Sequence, residues 1–96
     1  MVNVNSNKVL DVAGGSTGNG AVLVQHEFGP TLGQVESQVW FLLPWGSTHT
    51  VFVNYKSGLV MDVSGGSGAE NVPLVQWPWT GQANQVWAGV AVGGGG

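Results

Sequence analysis

The chain has 96 residues, with two lysines and no arginine set against five carboxylates, and it has no cysteine. That length sets one small domain with a modest core. Without clustered positive charge it is not built to neutralise phosphates, which excludes nucleic-acid and anionic-membrane partners, and without thiols it has no disulfide, zinc–thiolate site or cysteine nucleophile.

Only 7% of residues are charged and 17 are glycine. Short apolar segments punctuated by Gly, Asn and Ser predict an all-β protein. In chain order, the first strand is expected near 2–5, with "NSN" as its turn. The second follows near 9–12. The connection "AGGSTGNGA" then leads to a third near 22–27, and a fourth is expected near 38–42, beyond "GPTLGQVES". Strands near 50–54, 59–63, 73–77 and 85–89 come next, with "YKSG" and "SGGSGAENV" as turns. Pro73 opens a strand, where its missing N–H does least harm. No segment carries a capped 3.6-residue apolar period, so little or no α-helix is expected. The run "VWFLLPW" is broken by Pro44 and too short to span a bilayer, so no membrane insertion is expected. "MVNVNSNKVL" has no basic stretch before a long apolar run and does not read as a signal peptide. The compartment stays unassigned, with cytoplasmic residence or leaderless release the expectation.

These eight strands fall into two copies of one pattern. "VLDVAGGSTGNGAVLVQ" begins at Val9, and "VMDVSGGSGAENVPLVQ" begins at Val60, an offset of 51 residues. Further on, "QVW" at 38–40 matches "QVW" at 85–87, where the offset has shortened by four residues, a difference placed within "GPTLGQVES". The division is a single domain over 1–92, with units of about 1–46 and 47–92, followed by a flexible glycine tail at 93–96.

The repeated residues are of two kinds. Val9, Leu10, Val12, Leu23, Val24 and Trp40, with Val60, Met61, Val63, Leu74, Val75 and Trp87, read as strand and core positions. Trp40 and Trp87 are structural, and the Gln before each holds loop backbone through its amide. Asp11 and Asp62 differ, because a lone carboxylate inside an apolar strand is costly to bury. Each either braces the Gly-Gly loop that follows or faces a shallow pocket and takes hydroxyls. In the second unit "QWPWTGQANQVW" brings Trp77 and Trp79 near Asn84 and Gln85. A carboxylate, an aromatic face and paired amides suit sugar recognition, with Trp77 the ligand-facing ring.

The unit "LDV-x-GGS … VQW-x-W … NQ-x-W", nearly intact from Met61 to Trp87, resembles the cysteine-free ricin B-chain-like (R-type) lectins with QxW repeats. The resemblance covers all but the tail. It implies a β-trefoil that binds galactose- or N-acetylgalactosamine-type sugars without catalysis and without a cofactor or metal. The ligand-binding residues it implies are Asp62, Gly65, Trp77, Asn84 and Gln85. In the first unit they are Asp11, Gly14, His26, Ser37 and Gln38. There, His is a poorer platform than Trp, and Ser reaches less far than Asn. Such lectins close their barrel with three units, whereas this chain carries two. A homo-oligomer, trimer or dimer, is therefore expected to complete the trefoil and make sugar binding multivalent.

Three other readings fit parts of the same sequence. Asp11 and Asp62 could act as the acid pair of a glycosidase, but the repeat puts them on separate surfaces. The fold also serves as an interaction or inhibitor module. A truncated or designed trefoil fragment fits the same residues.

Overall fold

The computed structural model describes residues 2, 5–29 and 35–88. Seven strands emerge there: β1 (Val9–Val12), β2 (Leu23–His26), β3 (Trp40–Trp45), β4 (His49–Asn54), β5 (Val60–Val63), β6 (Leu74–Trp77) and β7 (Trp87–Ala88). All pairings among them are antiparallel. β1 and β2 form one hairpin; the other sheet runs β3-β4-β5-β6, with β7 also on β4.

The two hairpins are built alike. In β1–β2, Asp11 stands opposite Val24 and Leu10 opposite Gln25. In β5–β6, Asp62 stands opposite Val75 and Met61 opposite Gln76. A one-turn 3-10 segment closes each first strand, at Ala13–Gly15 and Ser64–Gly66. Each needs a left-handed residue, supplied by Gly14 at φ 65° and Gly65 at φ 66°. A side chain there would be strained, which fixes glycine at these two positions.

The core lies between the units. Val12, Trp40 and Met61 form its buried centre, with Leu10, Ala21, Leu23, Phe52, Leu74 and Trp87 packed around them. Trp40 Nε1 donates to Leu10 O at 3.2 Å, and Trp87 Nε1 to Met61 O at 3.4 Å, so each indole satisfies its one donor on its own unit's hairpin. Asn54, buried at the end of β4, spans the units by donating Nδ2 to Ser37 O at 2.8 Å. Its Oδ1 accepts the N–H groups of Lys56 and Ser57, which tightens the turn into β5.

The element limits differ from the sequence expectation in informative places. Gln38 and Gln85 do not begin strands; each ends a 3-10 turn, at Glu36–Gln38 and Ala83–Gln85. Their amides are drawn back toward the preceding loop, and the strands start only at Trp40 and Trp87. β3 runs on to Trp45 through Pro44, which pairs with Thr50. As the outer strand of its sheet, β3 tolerates the missing N–H. Of the strand expected near 2–5, Val2 makes a single bridge to Val9, and residues 3–4 lie outside the described residues. So do 30–34, part of the "GPTLGQVES" stretch expected to hold the extra length of the first unit, and the glycine tail.

Candidate sugar-binding site

Asp62 follows two buried residues of β5, and its side chain is itself 5% exposed. The 3-10 turn at Ala83–Gln85 brings two amides to it. Asn84 Nδ2 donates to Oδ1 at 2.6 Å and Gln85 Nε2 donates to Oδ2 at 2.9 Å. Gln85 is also tied to the loop after β6: its Nε2 donates to Pro78 O, and its Oε1 accepts from the N–H and hydroxyl of Thr80. With no exposed surface and every amide atom engaged, Gln85 holds Asp62 in place.

Asp62, Asn84, Gly65 and Trp77 all line one cavity of about 330 Å³, with Gly66, Thr80 and Gln82. A carboxylate offers roughly four lone-pair sites, and Asp62 spends two on amides, which leaves acceptor capacity toward the cavity. Asn84 adds its own carbonyl oxygen, which takes no bond among the described residues. Trp77, at the end of β6, keeps 42% of its surface exposed and lines the same cavity. Gly65 contributes backbone only. Trp79 turns elsewhere, packing edge-on against Trp45 at 4.9 Å between ring centroids.

In the first unit, Asp11, Gly14, His26, Ser37 and Gln38 also come together, around a cavity of about 370 Å³. The bracing is weaker. Gln38 Nε2 reaches Asp11 Oδ2 at 3.2 Å and Glu27 O at 2.8 Å, while its Oε1 accepts from Gly29 N–H at 3.0 Å. Like Gln85, Gln38 is buried and committed to the loop. Asp11 Oδ1 takes the N–H of its neighbour Val12, not an amide from position 37. Ser37 is buried and makes no side-chain bond to Asp11.

Several lining residues had no signal in the sequence. Lys56, from the turn after β4, crosses to donate Nζ to Gly15 O at 2.6 Å and so stands at the first cavity. Gly20, from the first unit, walls the second unit's cavity beside Trp77. Both are contacts between units, which a repeat pattern within one unit does not show.

A family model described as ricin-type beta-trefoil lectin domain-like matches residues 36–96. Among curated proteins the search gave no match. Among solved structures, the chain is similar to the exo-beta-1,3-galactanase 1,3Gal43A from Clostridium thermocellum, with 38% identity and a TM-score of 0.84 over 98% of this chain and 20% of that one. It is also similar to the designed 3-fold symmetric protein ThreeFoil, with 30% identity and a TM-score of 0.85 over 95% of this chain and 62% of that one. The mdaA-1 domain matches at 31% identity and a TM-score of 0.72, over 83% of this chain and 46% of that one. The chain thus spans a fifth of the galactanase and less than two thirds of ThreeFoil. The all-β architecture is of the β-trefoil type, and the chain belongs to the ricin-type β-trefoil lectin domain-like family.

Proposed function

We propose that this domain binds galactose- or N-acetylgalactosamine-type sugars through the cavity of the second unit, without catalysing a reaction on them. The observation that carries the reading is that Asp62, fixed by Asn84 and Gln85, shares one cavity with the part-exposed Trp77. The carboxylate and the Asn84 amide take vicinal hydroxyls, and the indole stacks on the sugar's C–H face. One structural neighbour is an exo-beta-1,3-galactanase, which supports galactose over other hexoses.

The first cavity serves as a weaker second site through Asp11, His26 and Ser37, and assembly of copies makes binding multivalent. Catalysis is disfavoured because Asp11 and Asp62 line separate cavities, so no glycosidic bond lies between them. Retention on immobilised galactose tests the reading: the wild-type chain is retained, and Asp62→Ala and Trp77→Ala are not. Retention of both variants would remove the site assignment.

A further inference from the structure

Within the chain, the two units meet at a joint made by main chain and one glutamine. The loop over 16–21 lies along the outer edge of β6, where Gly20 N–H donates to Gln76 O at 2.7 Å and Gln76 N–H donates to Ala21 O at 3.0 Å. The fully buried Gln76 side chain donates from Nε2 to Ser16 O at 3.0 Å and Gly18 O at 2.9 Å. Its Oε1 accepts from Ser57 Oγ at 2.8 Å. The same loop supplies Gly20 to the wall of the Asp62 cavity.

Both halves of this joint recur, preformed and, among the described residues, unmated. Gln25 occupies in β2 the position Gln76 occupies in β6, and its Oε1 already accepts from Ser6 Oγ at 2.7 Å. Yet Gln25 is exposed, and among the described residues β2 has β1 as its only sheet neighbour. The complementary half is the exposed loop over 67–72. There, Ser67 Oγ accepts from Ala69 N–H at 3.1 Å, as Ser16 Oγ accepts from Gly18 N–H at 2.9 Å. Ser64 N–H donates to Pro73 O, as Ala13 N–H donates to Val22 O. Asn71 holds a φ of 62° where Gly20 holds 81°, a conformation that Asn tolerates better than other side chains. None of the joint's hydrogen bonds uses the N–H of Val22, so Pro73 fits at that position.

We infer that these surfaces mate between copies of the chain: the 67–72 loop of one copy lies along β2 of another and completes the Asp11 cavity. Gln25 Nε2 takes the carbonyls of the partner's Ser67 and the partner's Ala69, as Gln76 takes those of Ser16 and Gly18. The partner's Asn71 then stands beside His26, as Gly20 stands beside Trp77. Among the described residues, none from either loop lines the Asp11 cavity, and that wall is open there. An asparagine there brings a carboxamide, donor and acceptor, to the site where Ser37 falls short. Unpaired strand edges favour such association, and β3, whose Phe41, Leu42, Leu43 and Trp45 are each about half exposed, adds apolar area for it. The role given to Asn71 rests on the multivalent sugar-binding reading; the joint itself does not require sugar.

Light scattering on the 96-residue chain, on Gln25→Lys, on Asn71→Pro and on an equal mixture of the two variants tests the joint. The wild type is expected above the 9.9 kDa of one chain, and each variant at 9.9 kDa. The mixture is expected at twice that mass, because one intact edge and one intact loop remain. Such rescue also shows that both variants are folded. Variants that keep the wild-type mass, or a mixture that stays monomeric, would overturn the joint alone. A wild type at 9.9 kDa would overturn the joint and the multivalent reading together. Galactose binding at Asp62 is scored separately on the Gln25→Lys monomer, so loss of sugar binding and loss of the joint are distinguishable.

Discussion

Asn84 and Gln85 are consecutive residues, and they grip opposite oxygens of the Asp62 carboxylate, at 2.6 Å and 2.9 Å. A 3-10 turn places both amides on one side of a buried acid, so the acceptor is fixed before any ligand arrives. Preorganisation of this kind spares binding the ordering of the charged group.

Asp62→Asn is the sharpest test of that grip. It replaces one accepting oxygen with an NH₂ aimed at an amide donor. Sugar affinity is expected to fall at least about tenfold, about 1.4 kcal/mol or more, with folding weakened by about 2 kcal/mol as a buried donor loses its acceptor. Calorimetric titration with galactose and urea unfolding measure the two effects.

Gln85→Ala is expected to act through stability. It strips Asp62 Oδ2, Pro78 O and Thr80 N–H of one shared partner in a buried setting. The loss is expected at about 3 kcal/mol, a large share of what a small domain has. Urea denaturation of the variant measures it as a lower midpoint with an unchanged slope.

Gly65→Ala would meet no atom within 4 Å, yet its φ of 66° lies in the left-handed region. A cost of about 1–2 kcal/mol is expected from backbone strain alone. Gly65→Asn should recover part of it. Thermal unfolding of both variants gives the comparison.

His26→Trp should strengthen the first site. The residue is exposed at the end of β2, where the second unit has Trp77 at the end of β6. A several-fold gain in affinity is expected at the Asp11 cavity. Titration in an Asp62→Ala background, which silences the second site, isolates the effect.

The sequence showed the fold most clearly where both units say the same thing. Asp-Val-x-Gly-Gly-Ser and Val-Gln marked the equivalent strands of the two units, which the structure pairs in the same way, and the Gly-Gly steps marked the left-handed turns at Gly14 and Gly65. The closeness of Asn84 to Asp62 was legible because a lone acid in an apolar strand needs donors. Gln38 and Gln85 misled on strand limits, since their amides turn back to the loop instead of extending the ladder. Lys56 at Gly15 and Gly20 at Trp77 were invisible, because each contact crosses from one unit to the other.

The most direct measurement follows the amide side chain of Asn84 and the indole N–H of Trp77 by two-dimensional NMR while galactose is added. Saturable shifts of both signals, absent in Asp62→Ala, are the expected result. Signals that stay in place while the protein still binds galactose would contradict the account.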